Sequence, residues 1–136
     1  MSKKKTGLSK DGRNFVVQGT VYPFDVLFSI DQTDGKLRKT LDKILPDGTN
    51  IEALMNLPDS CKGIAVRLSS GQYVVRLREK GVSTDVLAGN VAHEIFHVVT
   101  FLMDYVGVKF HLETSDEAYA YMIGYLTKEF YKKKSE

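Results

Sequence analysis

Three side chains in the run Val91-Ala92-His93-Glu94-Ile95-Phe96-His97 have the types and spacing to hold a metal ion and to move a proton beside it. In an α-helix residues four apart lie one above the other, so His93 and His97 project the same way and can share one Zn²⁺ ion. Glu94 follows His93 by one position, about 100° round the helix. That offset takes its carboxylate out of line with the imidazoles yet leaves it beside the metal, where it can accept a proton from water. The competing explanation is a chance match, with both histidines hydrogen-bonded in a core. The chain holds three His in all, and two of them at this spacing around a Glu weigh against chance.

Catalytic zinc takes three protein ligands and a water, so two histidines leave a position to fill. The downstream candidates are His111, Glu113, Asp116 and Glu117. Beyond His97 the helix runs nine more residues to Val106, roughly 14 Å at the rise of an α-helix. An extended connection over 107–114 spans up to roughly 26 Å, enough to bring the start of the next helix back to the level of His97. Glu117 falls in that first turn and is the preferred third ligand. Ala120 and Gly124 follow on its face, and such small side chains would let the two helices approach closely. A second role competes for Glu117, because Thr114-Ser115-Asp116-Glu117 fits a capping box in which the Glu reaches back to the N-cap amide.

The elements that position these groups can be read from periodicity. Val91, Ile95, Val98, Val99 and Leu102 keep helical spacing, Ser83 or Thr84 can cap the start with Asp85 in the first turn, and Gly107 offers a left-handed stop. The metal helix is therefore expected to be about six turns long and buried. Upstream, Lys62 to Ser69 and Gln72 to Glu79 alternate as strands about a Ser70-Gly71 turn, giving an antiparallel hairpin that leads into that helix. One or two strands are expected over Phe15 to Gln18 and Thr20 to Ile30, with Pro23 marking an edge or bulge. Leu37, Leu41, Ile44 and Leu45 predict an amphipathic helix over Thr33 to Leu45, stopped by Pro46-Asp47-Gly48. A shorter helix is expected over Asn50 to Leu57, and a last one over Thr114 to Tyr131.

A chain of 136 residues, 43% hydrophobic and 26% charged, suits one core and is too short for two ordinary domains. Residues 1–13 are polar and aperiodic and are expected as a flexible basic tail, with one domain over 14–136. The formal net charge is +2, and Lys-rich runs lie at Lys3 to Lys5 and Lys132 to Lys134. No aromatics interleave the first run, so base stacking and nucleic-acid binding are not expected. Cys61 is the single cysteine, which excludes an intrachain disulfide and suits a reducing compartment. No leader and no membrane-length apolar run is read, so the expected location is the cytosol, with no membrane partner.

The run HEIFH, followed by Asp116-Glu117-Ala118-Tyr119-Ala120-Tyr121, resembles the zincin metallopeptidases of the gluzincin type. Their pattern is H-E-x-x-H and then, in the next helix, a Glu three residues before a small residue. It is also similar to small, uncharacterised zincin-like proteins of bacteriophage and mobile-element genomes. The resemblance covers residues 91–126. It implies that His93, His97 and Glu117 bind Zn²⁺, with Glu94 as general base and acid. It further implies an α+β fold of the minimal zincin kind: a small mixed or antiparallel sheet packed on the HExxH helix and a C-terminal helix. In such folds an edge strand beside the helix pairs with an extended peptide, here Gln72 to Glu79 or its neighbour. The Gly and third His of the metzincin pattern are missing after His97, and Tyr121 stands where related families carry an acidic residue.

The function expected is hydrolysis of a peptide bond in a peptide or protein substrate, with Tyr119, Tyr121, Tyr125 or His111 as alternative donors to the oxyanion. The rival is a binding or structural protein that keeps zinc for stability, in which Cys61 or His111 would close the coordination sphere.

Overall fold

The computed structural model describes residues 12–69 and 71–136. Among them the chain forms four strands and three α-helices: β1 (Arg13–Gln18), β2 (Asp25–Ile30), α1 (Asp34–Ile44), β3 (Gly63–Ser69), β4 (Gln72–Leu77), α2 (Thr84–Val106) and α3 (Asp116–Lys134). The expected α+β layout of a mixed sheet, a long helix and a C-terminal helix is what the structure has. Of the tail expected over 1–13, residues 1–11 lie outside the described residues, as does Ser70 of the hairpin turn. Arg13 already belongs to β1.

The sheet order is β1-β2-β4-β3. β1 pairs antiparallel with β2 and β3 antiparallel with β4, whereas β2 and β4 run parallel. The parallel pair sits in the middle of the sheet, buried on both faces. Phe28, Ile30, Val75 and Leu77 point to the α2 and α3 side, while Leu27 and Val74 pack under Leu37 and Leu41 of α1. β4 is thus interior, and of the two strands expected to offer a free edge it is the neighbour, β3, that has one. Gly71 follows the undescribed turn residue with φ of 73°, and a Cβ there would stand 3.1 Å from the Pro23 carbonyl oxygen. Only glycine fits that turn without strain.

α1 is capped by Thr33, whose side chain accepts from the Lys36 amide. The helix expected over Asn50 to Leu57 is reduced to a single 3₁₀ turn, Glu52–Leu54. Asn56 at φ 56° lies in the left-handed region and ends it.

α2 begins after Ser83 and stops at Gly107, which takes φ of 79° while Val108 N–H returns to the Met103 carbonyl. That is the left-handed helix stop expected from the glycine. Contrary to the expectation that no apolar run is long enough, α2 could cross a membrane by length and composition. Its Leu87, Val91, Ile95, Val98, Val99, Leu102 and Met103 are instead buried in the core against the sheet and α3. α3 contributes Met122, Leu126 and Phe130 to the same core, and Phe130 packs edge-on to Phe28 at 4.9 Å between ring centroids.

Candidate metal centre

Two turns of α2 carry the groups that could hold a metal ion, and the same turns bury Ile95 and Val91 in the core, which fixes the rotation of the helix. His93 is exposed, His97 is half-buried and Glu94 is only 7% exposed. Ligand atoms of the three lie within 4.8 Å of one another. The two Nε2 atoms are 3.2 Å apart. Two nitrogens bound tetrahedrally to one zinc stand roughly 3.4 Å apart, given Zn–N bonds of about 2.0–2.1 Å, so the imidazoles fit a shared ion with almost no movement. Without the ion, one imidazole can donate to the other across the same gap.

His97 is held by stacking. Phe101, one turn on, lies with its centroid 6.4 Å from the His97 ring and 22° from parallel. Tyr73 of β4 stacks with Phe101 in turn, at 6.1 Å between centroids, and the Arg67 guanidinium of β3 lies 5.3 Å from the Phe101 centroid. The sheet thereby reaches His97 through two aromatic rings. Neither Phe101 nor Tyr73 was among the candidate site residues of the sequence.

Glu94 points into the seam between α2 and the first residue of β3. A Cβ on Gly63 would come within 3.2 Å of its Oε2. Burial pushes the Glu94 carboxyl above the usual range, against the lowering pull of His93 and His97. A carboxylate so placed is a stronger base than one in water, which suits proton abstraction.

The remaining expected site residues are spread out. Glu117 is exposed in the first turn of α3, and among the described residues it does not join the cluster of His93, Glu94 and His97. Contrary to the close approach expected at its face, Ala120 and Gly124 are exposed, and a Cβ on Gly124 would meet nothing within 4 Å. α3 turns its Met122, Leu126 and Phe130 face inward instead. The capping box is not formed either, since α3 starts at Asp116 after Ser115, whose side chain makes no cap bond. That hydroxyl is used by the preceding loop, accepting from His111 N–H and donating to the Lys109 carbonyl.

Of the suggested oxyanion donors, Tyr119 donates to the Val108 carbonyl at 2.6 Å and Tyr125 to the Gln18 carbonyl at 2.7 Å. Each phenol has one proton, so Tyr119 is committed to the loop after α2 and Tyr125 to the end of β1. Tyr121 is exposed and stacks on Tyr125, and His111 is exposed. Cys61 and His111 also stand outside the metal-binding group among the described residues. One further polar group near the site was not anticipated: Asn90, one turn before Glu94, has its Nδ2 buried without a hydrogen-bond partner.

No family model matches the chain, and neither a curated protein nor a solved structure similar to it was found.

Proposed function

We propose that this protein is a zinc-dependent peptidase whose general base is Glu94. The observation that carries the reading is the pair of Nε2 atoms 3.2 Å apart with a buried carboxylate in the same cluster. His93 and His97 would hold the ion, and, by a movement of the first turn of α3 onto the imidazoles, the third donor would be Glu117. Its carboxylate is exposed and makes no hydrogen bond or ion pair with the described residues, so ligation would break no existing contact. When bound, Zn²⁺ supplies a Lewis acid that polarises the substrate carbonyl and acidifies water. Glu94 accepts the proton from the attacking water and returns it to the leaving amine, and its burial keeps competing solvent away. The free edge of β3, next to Glu94, offers main-chain hydrogen bonds to an extended peptide or protein segment. A cytosolic setting belongs to this reading, since Cys61 is unpaired.

The binding or structural alternative calls for a site closed by a fourth protein ligand, and neither Cys61 nor His111 belongs to the cluster of His93, Glu94 and His97. The test has two parts. The protein should bind about one zinc per chain by elemental analysis, and lose it when His93 and His97 are both changed to Ala. Glu94→Gln should retain the metal and lose cleavage of an unstructured protein such as casein. Full metal retention by the double variant, or cleavage by Glu94→Gln, contradicts the assignment.

A further inference from the structure

At the carboxyl ends of the parallel strands β2 and β4 the chain encloses a cavity of about 380 Å³, a position where open sheets commonly bind ligands. Lys62, Arg76, Arg78 and Lys80 line it, with Asp31 and Asp34 as its acidic members.

The acidic charge is already committed. Asp31 accepts from the Glu79 and Lys80 amides at 2.9 and 3.2 Å, and Asp34 accepts from Arg76 at 2.8 Å and from the Asn56 amide at 2.9 Å. Arg76 is also committed, since its other bonds go to the Leu54 and Gln32 carbonyls, both at 2.6 Å. Three cations remain. Lys62, Arg78 and Lys80 have no side-chain partner among the described residues, and the Arg78 Nε is buried without an acceptor. A guanidinium nitrogen withdrawn from water and left unpaired is costly unless an anion arrives. The cavity also includes Thr33 and Asp34 at the start of α1, where the helix dipole adds positive potential.

Gly63 is a wall of this cavity and also the residue that covers Glu94. A peptide extended along the β3 edge, with its scissile bond at the level of Glu94, would pass Lys62 within one or two residues at about 3.3 Å per residue. We propose that the cavity is a subsite for a substrate carboxylate close to the scissile bond. It would accept either an Asp or Glu side chain or the free C-terminal carboxylate of the peptide. This inference rests on the peptidase reading.

The test is capture of a randomised decapeptide library by immobilised Glu94→Gln protein loaded with zinc, in low salt, with bound peptides sequenced by mass spectrometry. Two libraries separate the sources of the carboxylate, one with free and one with amidated C-termini. Enrichment of Asp or Glu at a fixed position in both libraries identifies the side chain, and enrichment only of free termini identifies the C-terminus. Either preference should be roughly ten-fold and should fall to near unity when Arg78→Gln is added. A second variant, Lys62→Gln with Lys80→Gln, alters exposed side chains and should weaken the same preference without disturbing the fold, as checked by circular dichroism. No capture, capture without preference for an acid, or a preference unchanged in both variants overturns the subsite. Absence of cleavage by the wild-type protein would instead refute the peptidase reading and leave the capture result standing.

Discussion

Gly63 and Glu94 meet across the seam between β3 and α2, so closely that a Cβ on Gly63 would lie 3.2 Å from both Cγ and Oε2 of the carboxylate. The strand therefore closes over the proposed base at its one position without a side chain. Leu77 Cδ2 would be just as near, at 3.2 Å, so an added methyl has no free direction.

Gly63→Ala should accordingly displace the Glu94 carboxylate by a few tenths of an ångström while leaving the imidazoles untouched. Turnover in the proposed peptidase reaction should drop roughly ten-fold or more, as small misplacements of reacting groups do, with zinc affinity within about two-fold of wild type. Steady-state kinetics and a chelator titration measure both. A variant that loses zinc and activity together would mean that Gly63 supports the fold of the site and not the placement of its base.

Burial of Glu94 also has a thermodynamic cost. The carboxylate is almost fully withdrawn from water, and no cation balances it in the metal-free protein beyond the neighbouring imidazoles. Replacing it with a neutral amide of nearly the same size removes that penalty. Metal-free Glu94→Gln should melt higher than metal-free wild type at neutral pH, by roughly 3 °C for each kcal/mol recovered. Scanning calorimetry in chelator tests this, and a melting point at or below wild type would show that the carboxylate is better satisfied than its burial implies.

Much of this arrangement was legible in the sequence. Gly107 stops α2 in the left-handed conformation that the glycine suggests, because that signal acts locally, while Ser83 stands at the N-cap position without a side-chain cap bond. The HExxH spacing likewise places its three groups together through the geometry of one helix. What could not be read depends on distant partners. Val74 and Val75 are both buried because β4 is covered on two faces, yet alternation alone presents it as one half of a simple hairpin. Its parallel pairing with β2, the resulting free edge on β3, and the Gly63 contact all follow from an adjacency that no local pattern records. The face of α3 was misjudged for a related reason: small residues at Ala120 and Gly124 suggested close packing, whereas Met122, Leu126 and Phe130 bury more apolar surface and set the rotation.

Arg76 ties three segments together by bonding Asp34, Leu54 and Gln32. The guanidinium holds the Asp34 carboxyl below its ordinary range. A carboxylate with a lowered folded-state pKa contributes stability above its unfolded value, near 3.9, and loses it as the pH falls through the folded value. Stability should thus decline in acid below about pH 5, and Asp34→Asn should flatten that part of the profile. Arg76→Leu should cost about 2–4 kcal/mol at neutral pH, because two carbonyls and a carboxylate lose their donor. Urea unfolding from pH 3 to pH 7 separates the two effects, and an unchanged acid limb in Asp34→Asn would assign the titration to another group.

Glu117 stands exposed in the first turn of α3, where a capping role and a ligand role make different demands on its carboxylate. A capping Glu would stabilise the start of α3 through a backbone amide, but the helix begins after Ser115 without a side-chain cap, so that role is not in use. Glu117→Gln should therefore leave the melting temperature of the metal-free protein within about 2 °C of wild type. A zinc ligand contributes charge as well as shape, and a neutral amide replaces it poorly. If the first turn of α3 closes onto the imidazoles when the metal arrives, zinc affinity in Glu117→Gln should fall by about a hundred-fold, and Ser115→Ala, which alters only the adjoining loop, should retain most of it. Competition with a calibrated chelator gives both values. Equal affinities in wild type and Glu117→Gln would exclude Glu117 from the metal, leaving His93 and His97 as the protein's anchoring pair and moving the search for a third donor to Glu113, Asp116 and His111 in the same connection.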